Sequence, residues 1–368
     1  MKIVAVNADK GIAPDGSKGA AIHLRSILRA FVSCGHEVIL HSRRAIAGDA
    51  ELGFEVRHGT DSEVIEATIV SMGADFVYER YSLNNESGLQ AARRTKRILA
   101  LEVNAPLLAE ASLHRPETIT AESEETEKKL WRDADVLFPV STNLGELIAD
   151  VRETNAPMRV LANGVHASLY PLGLASLTEG PPWTIAFLGH PKPWHGTALL
   201  AKAFAALAAS RIDARLLVIG GGNGAEILRE EFASLDISDR LLITGALSHE
   251  NATLRLRQAH LSLAPYSDLP SFYFSPLKIM ESLAAGVPLI TNDVGDIRTI
   301  TAGFAEFARP GDADDLVKKI EDLIVDPAQR RTMALAGQEH VLSNHTWDMN
   351  ARVIIDDVKD LIEGRSRE

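Results

Sequence analysis

The sequence predicts an α/β protein with two doubly wound parallel sheets, and three observations carry this prediction. Short apolar segments of strand length alternate with segments of helical periodicity in both halves of the chain. The length of 368 residues exceeds what one ordinary core organises and favours about two domains. Between the two halves, YPLGLASLTEGPPW mixes proline and glycine as a linker does.

The first series begins with a βαβ unit. KIVAVN is strand-like, Leu24, Ile27, Leu28 and Phe31 form a helical stripe, and EVILHS is the next strand. Four more buried strands are predicted in this half, at DFVYER, RILALEV, DVLFPVS and RVLANGV. The second half starts afresh with WTIAFLG, RLLVIGG, RLLITG, HLSLAPY and VPLITN. Two consecutive series of this kind predict two Rossmann-like domains.

Composition excludes several classes of protein. The formal net charge of −12 argues against non-specific electrostatic binding to nucleic acid. The basic residues of AARRTKRIL suggest at most weak peripheral membrane contact, and no apolar run is long enough to span a bilayer. The one cysteine, Cys34, is compatible with a reducing compartment, and MKIVAVNADKG resembles a first strand more than a signal peptide. We therefore expect a cytoplasmic protein.

The segment SPLKIMESLAAG is a clearly marked helix. Ser275 and Pro276 predict its N-cap and first position, and Gly286 predicts its end. Lys278 lies in the first turn, where the helix dipole is already positive, and the helix follows a parallel strand whose carboxyl end is a ligand-binding edge. This arrangement favours a bound phosphate over an empty helix. The alternative is that Lys278 and Glu281 form a solvated face.

Other motifs favour structural interpretations. VIGGGNGA fits a dinucleotide fingerprint, but the next strand lacks the acidic residue that holds an adenosine ribose. The D-x-D triplets at Asp133 and Asp312 lie at the boundaries of predicted elements, where aspartates commonly cap helices or form turns. Cysteine and histidine spacing does not suit zinc, and no G-x-S-x-G elbow is present. We expect no metal and no cofactor.

A set of motifs in order along the chain identifies a family resemblance: GSKGAAIHL, VYERYSL, LEVNAPLLAE, ADVLFPVS, LANGVHASLYP, FLGHPKPWHG, VIGGGNG, ITGALSHENA, SPLKIMESLAAG and NDVGDIR. The chain resembles glycosyltransferase family 4. This resemblance implies the GT-B fold, with two facing Rossmann-like domains and a deep interdomain cleft. It also implies retaining, metal-independent transfer of a sugar from a nucleoside-diphosphate sugar to a carbohydrate, lipid-linked or small-molecule acceptor.

The resemblance further implies a domain plan. Residues 1–170 with 350–368 would form the acceptor-side domain, because the helix in TWDMNARVIIDDVKDLIEG crosses back onto it, and residues 171–349 would bind the donor. The alternatives are a nucleotide-sugar epimerase or phosphorylase of the same fold, or a noncatalytic nucleotide-sugar-binding subunit.

The resemblance assigns donor-binding roles residue by residue. Glu281 would accept hydrogen bonds from the ribose, and Lys278 would neutralise the diphosphate. Tyr273 stands where relatives often have a glutamate that contacts the sugar, and His190 and His195 stand where many have arginine and lysine. For His195, packing beside Trp194 is the alternative. The donor-binding set is Gly19, Gly189, His190, His195, Gly245, Leu247, Tyr273, Phe274, Ser275, Leu277, Lys278 and Glu281.

Acceptor-side residues follow from the same resemblance. Strand ends in VYERYSL and LEVNAPL would face the acceptor. The resemblance puts Asn104 near the reacting carbon, where it would orient hydroxyls without acting as a base. For Gly19 a tight turn is the alternative role, and for His23 a boundary position. The acceptor-side set is His23, Glu79, Arg80, Glu102 and Asn104, and the catalytic set is Lys278, His195 and Asn104.

Overall fold

The computed structural model describes residues 1–16, 18–47, 51–152, 156–173, 180–267, 269 and 271–365. The middle of the predicted linker, 174–179, lies outside these described residues. The chain divides into two compact units. The first comprises Met1–Asn163, Tyr273–Ser275 and Trp347–Glu368, and the second comprises Gly164–Phe272 and Pro276–Thr346. The first unit is therefore discontinuous in sequence.

Each unit contains a six-stranded parallel sheet. In the first unit the strand order is β3-β2-β1-β4-β5-β6, and in the second it is β12-β11-β10-β7-β8-β9. Both orders reverse once, between β1 and β4 and between β7 and β10. The strands of the described residues are β1 (Lys2–Asn7), β2 (Glu37–Ser42), β3 (Glu55–His58), β4 (Phe76–Arg80), β5 (Ile98–Val103), β6 (Val136–Pro139), β7 (Trp183–Leu188), β8 (Ala214–Ile219), β9 (Leu241–Ile243), β10 (Leu261–Ala264), β11 (Leu289–Asn292) and β12 (Glu306–Ala308).

Helices connect the strands, as parallel pairing requires. Both sheets bury their central strands almost completely, and β5 is buried at every position. The helices of the described residues are α1 (Gly19–Ser33), α2 (Ser62–Met72), α3 (Ser87–Thr95), α4 (Leu107–His114), α5 (Ser123–Asp133), α6 (Thr142–Ala149), α7 (Thr197–Ala209), α8 (Asn223–Ser234), α9 (His249–Leu256), α10 (Leu277–Ala284), α11 (Ile297–Ile300), α12 (Ala313–Val325), α13 (Pro327–Asn344) and α14 (Trp347–Arg365).

The C-terminal helix α14 packs on α1 within the first unit. The Trp347 ring lies 4.8 Å from the His23 ring, and the Ser33 hydroxyl donates to Asp348 at 2.8 Å. Ile354 and Val358, predicted to pack, are buried. The helix thus completes the core of a unit whose other strands and helices lie more than 180 residues earlier in the chain.

The predicted fold of two doubly wound α/β sheets is confirmed, with local differences. RVLANGV is not a strand: Val165 within it forms an isolated bridge to Thr346, and Met158 just before it forms another to Leu137 of β6. Pro139 at the end of β6 has no N–H to extend that ladder. The edge strands β3 and β12 were not predicted, since they are short and only partly buried. None of the described helices combines the length and apolarity needed to cross a membrane.

Candidate functional site

In the second unit, the candidate donor residues collect where the strand order reverses. The loop after β7 carries Gly189 to His195, and the segment after β10 leads into α10. Because these neighbouring strands are parallel, both loops leave the same edge of the sheet. A doubly wound sheet binds ligands at such a point. The pairing of β7 with β10 therefore brings Lys278 close to His195, although 83 positions separate them.

Lys278 is held in an apolar and neutral setting. Its Nζ lies 3.0 Å from Nε2 of His195 and 4.0 Å from the centroid of the Phe187 ring. Burial lowers the pKa of Lys278 to about 7, against the opposing influence of Glu281. In the part of the chain that the structure describes, no carboxylate forms an ion pair with this amine. The solvated-face alternative is therefore a poor description of Lys278.

His195 is buried, with 5% of its surface exposed. Its Nδ1 accepts a hydrogen bond from the main-chain N–H of Lys192 at 2.9 Å, and its ring packs against Phe187, Trp194 and Tyr266. Burial, followed by the charges of Lys278 and Lys192, lowers its pKa to about 2. The packing beside Trp194 and the contact with Lys278 coexist, and the ring is neutral across the physiological pH range.

Glu281 lies one turn after Lys278 on α10. Its Oε1 is 2.8 Å from Nε2 of His249, the first residue of α9, and its side chain is 13% exposed. The Tyr170 hydroxyl lies 3.4 Å from the same nitrogen. Sequence reasoning missed both His249 and Tyr170. Ser248, which caps α9 by accepting from Asn251 N–H at 3.2 Å, was the available signal that His249 begins a helix.

Three glycine-bearing turns pack together at this edge of the second sheet. A Cβ at Gly220 would lie 2.3 Å from the carbonyl oxygen of Gly189, and one at Gly224 would lie 2.1 Å from that of Pro191. A Cβ at Gly221 would lie 3.5 Å from the Cα of Gly245. The VIGGGNGA motif is thus required for the close approach of neighbouring turns.

The turn residues expected to bind the donor have distinct settings. His190 is exposed, and its Nδ1 is 2.6 Å from the carbonyl oxygen of Gly221. Gly189 and Gly245 have φ of 95° and 72°, which favours glycine. Leu247 is 37% exposed, so an apolar surface is available beside Gly245.

The segment 273–275 differs from the sequence expectation. Ser275 does not cap α10, because its hydroxyl accepts from the main-chain N–H of Asn163 at 2.8 Å, and Pro276 is the N-cap residue. Tyr273 belongs to the first unit, where its hydroxyl donates to Glu110 and its carbonyl accepts from Ser141 at 2.8 Å. Its ring stacks on Phe274, with centroids 4.3 Å apart. Lys278 and Glu281 remain in the second unit with the partly buried Leu277.

In the first unit, Glu102 is the centre of a buried polar cluster at the ends of β4 and β5. His23 Nε2 lies 2.9 Å from its Oε1, Arg80 lies 3.4 Å away, and the hydroxyl of Tyr78 donates to it. Asn104 donates to Glu102 and, at 3.2 Å, to Nδ1 of His23. Burial alone would raise the pKa of Glu102, but His23 and Arg80 lower it to about 2. Four of the five expected acceptor-side residues therefore form one cluster.

Glu79 is the exception among the acceptor-side residues. Strand alternation turns it away from Tyr78 and Arg80, and it is 1% exposed. Neither carboxyl oxygen has a hydrogen-bond partner among the described residues. Burial raises its pKa to about 8. A Cβ at Gly88 of α3 would lie 2.2 Å from Oε2, so this acid is enclosed between β4 and α3, away from the Glu102 cluster.

Comparison with known proteins shows what the chain is similar to. Residues 175–340, less than half of the chain, match the sequence model of glycosyl transferases group 1. The resemblance to glycosyltransferase family 4 that the motifs indicated is thereby confirmed.

Relatives of this chain cover it to different extents. A GDP-mannose-dependent monoacylated alpha-(1-6)-phosphatidylinositol monomannoside mannosyltransferase of Corynebacterium glutamicum is 27% identical over 164 residues, 43% of this chain and 42% of that protein. The chain spans about half the length of the curated relatives it matches. Sucrose-phosphate synthase from Thermosynechococcus elongatus superposes with a TM-score of 0.78 at 18% identity, over 99% of this chain and 100% of that one. Anabaena HepE in complex with UDP-glucose gives 0.71 at 15%, over 98% and 100%.

Both D-x-D triplets have aspartates that make structural contacts. Asp135 accepts from Arg93 at 3.0 Å and from the main-chain N–H of Leu99 at 2.7 Å. Asp312 caps α12 by accepting from the main-chain N–H of Asp315 at 2.9 Å. Within the described ranges, no group of three or more histidine, cysteine or acidic side chains has an arrangement that could hold a metal ion.

The remaining sequence-predicted residue, Gly19, is the exposed first residue of α1. Lys18 occupies the N-cap without a side-chain hydrogen bond to the helix. Helix α1 follows β1, so its first N–H groups lie at the edge where the strands end, beside the point at which the strand order reverses. This position suits an approaching anion.

Proposed function

We propose that the protein transfers a sugar, with retention of configuration, from a nucleoside-diphosphate sugar to an acceptor hydroxyl. One observation carries this proposal: Lys278 lies in the first turn of α10, beside His195 and without a carboxylate partner among the described residues, where the second sheet reverses its strand order. A helix N-terminus with a partly buried amine is suited to a diphosphate. The match of residues 175–340 to the sequence model of glycosyl transferases group 1 supports the assignment.

The donor contacts follow from the order of side chains at this edge. Lys278, the α10 N-terminus and the turn containing Gly189 and His190 would hold the diphosphate. Glu281, one turn further, would accept from the ribose hydroxyls, since an ionised carboxylate is an acceptor only. The base would lie on the turn from Gly245 to Leu247. We therefore assign donor binding to the second unit.

Acceptor recognition is proposed for the first unit. His23 and Asn104 meet at Glu102, and Arg80 adds a guanidinium to the same cluster. Such a cluster can orient hydroxyls. In our proposal Asn104 positions the acceptor and the departing phosphate takes the acceptor's proton, so that neither a metal nor a covalent nucleophile is needed. We further propose a cytoplasmic location, for which the single cysteine is suitable.

The test is consumption of a donor by the purified chain. UDP-glucose, GDP-mannose and ADP-glucose are each incubated with mixed sugar and lipid-linked acceptors, and the release of nucleoside diphosphate and the glycoside product are measured. We expect one donor to be consumed faster with an acceptor than by hydrolysis, with an α-linked product from these α-linked donors. Lys278→Met should abolish this turnover. Epimerised donor without transfer, or binding without any turnover, would overturn the proposal.

A further inference from the structure

The hydrogen bonds of His195 fix the position of its proton. Nδ1 lies 2.9 Å from the main-chain nitrogen of Lys192, and a main-chain N–H can only donate. Nδ1 must therefore present a lone pair, which excludes the doubly protonated ring. The neutral ring then carries its proton on Nε2.

The proton on Nε2 determines the state of Lys278. Nε2 lies 3.0 Å from Nζ of Lys278, so the imidazole N–H donates to the lysine nitrogen. An ammonium group has three donors and no lone pair, so it cannot accept this bond. The contact is a hydrogen bond only if Lys278 is a neutral amine.

The other groups around this pair act on the charge of Lys278 in both directions. Burial, to which Phe187 of β7 and Tyr266 after β10 contribute, favours the neutral amine. Glu281, on the helix of Lys278 itself, favours the ammonium, but it is paired with His249 at 2.8 Å. The face of the Phe187 ring, 4.0 Å from Nζ, also attracts a cation. Lys192 lowers the pKa of His195 and so keeps that ring neutral.

We propose that Lys278 is a neutral amine in the empty donor site, kept so by the Nε2–H of His195, and that donor binding is coupled to the uptake of one proton. The proton comes from solvent and adds to the Nζ lone pair, and no bond of the donor is broken. The ammonium that forms then donates to the diphosphate. His195 is a positioning residue that sets the protonation of Lys278. This inference rests on the proposed function, since it concerns the same donor site.

Proton uptake is measured by calorimetric titration in buffers of different ionisation enthalpy. UDP-glucose, GDP-mannose and ADP-glucose are the probes, because their diphosphate diesters do not titrate near neutral pH. The titrations are run in HEPES and Tris at pH 8 and in two further buffers at pH 6. Since the pKa of Lys278 in the empty site is about 7, we expect uptake of about 0.9 proton at pH 8 and about 0.1 at pH 6. The dissociation constant should rise about tenfold between those pH values, because only the protonated fraction is competent.

Three variants test whether the proton taken up on donor binding adds to Lys278. Lys278→Arg carries a permanent charge, so uptake at pH 8 should fall to near zero. His195→Gln offers a carbonyl oxygen that accepts from an ammonium, so uptake should fall below half of the wild-type value. His58→Asn removes an exposed histidine at the end of β3 in the first unit and should leave uptake unchanged.

The outcomes separate the two proposals. Binding with no buffer dependence at pH 8, or uptake that persists in Lys278→Arg, would overturn the neutral-amine assignment and leave the transferase proposal standing. Failure of all three nucleotide sugars to bind would overturn the proposed function and this inference with it. The dependence of donor affinity on pH is measured on the wild-type protein, so the proposal can still be tested if a variant misfolds.

Discussion

Nε2 of His249 lies 2.8 Å from Oε1 of Glu281, which gives the proposed ribose acceptor a fixed orientation in the second unit. The bond uses one carboxylate oxygen and leaves the other for the ribose hydroxyls. We therefore expect this histidine, at the start of α9, to influence donor binding.

His249→Ala should weaken nucleoside-diphosphate binding about two- to tenfold, the effect of losing one hydrogen bond of about 0.5–1.5 kcal/mol. His249→Gln retains an N–H donor and should bind nearly as wild type. Glu250→Ala, at the exposed neighbouring position, is the matched control. Dissociation constants measured by calorimetry test this prediction. Tighter binding by His249→Ala would contradict it and would show that the histidine competes with ribose.

Gly224→Ala should destabilise the second unit and weaken donor binding. Its Cβ would lie 2.1 Å from the Pro191 carbonyl oxygen, so the loop carrying His190 and His195 must move, at a cost of about 1–3 kcal/mol. Gly364→Ala, where a Cβ meets nothing within 4 Å, should leave stability unchanged or slightly raised. Urea unfolding of both variants is the measurement, and equal effects would contradict the packing argument.

Glu102→Gln should destabilise the first unit by about 3 kcal/mol, because it leaves the buried Arg80 without its charge partner. The pKa of Glu102 is about 2 in the folded protein, below its usual value of 4.5, so its stabilising contribution is complete above pH 4.5 and is lost as the pH falls toward 2. Glu37→Gln, at the exposed start of β2, is the control. The free energy of unfolding is measured by chemical denaturation at pH 7 and pH 3. An equal difference between wild type and Glu102→Gln at the two pH values would contradict this account.

Glu79 gives the opposite dependence on pH. Its pKa of about 8 in the folded protein lies above its usual value of 4.5, so the folded state binds more protons, and the free energy of unfolding falls as the pH rises between those values. Glu79→Gln cannot ionise and should lose this slope, gaining on the order of 3 kcal/mol relative to wild type between pH 5.5 and 8. Parallel stability curves for the two proteins would refute the buried-acid assignment.

The sequence predicts the fold well because each central strand is a continuous apolar run that only a doubly wound sheet buries on both faces. It also places Lys278 and His195 at the reversal of strand order, since both follow adjacent strands. Ser275 was misassigned as the helix cap because its partner, Asn163, is 112 residues away, and a long-range hydrogen bond displaced the local one.

Other features of the site depend on side-chain direction, which local patterns do not determine. Glu79 and Arg80 are consecutive in VYERYSL, yet one is enclosed beside Gly88 and the other joins Glu102. The neutral setting of Lys278 likewise arises from a ring 83 positions away. Such pairings follow from packing and could not be inferred from motif spacing.

The most direct test of the donor-site assignment compares Lys278→Met and Glu281→Gln by calorimetric titration with a nucleoside and its diphosphate, using the uridine, guanosine and adenosine pairs. A charge-assisted hydrogen bond contributes about 1.5–3 kcal/mol, so Lys278→Met should weaken the diphosphate about 10- to 150-fold and the nucleoside hardly at all. Glu281→Gln should weaken both, since both carry the ribose. Lys318→Met, on the exposed face of α12, should behave as wild type. Equal weakening of nucleoside and diphosphate by Lys278→Met would contradict the account.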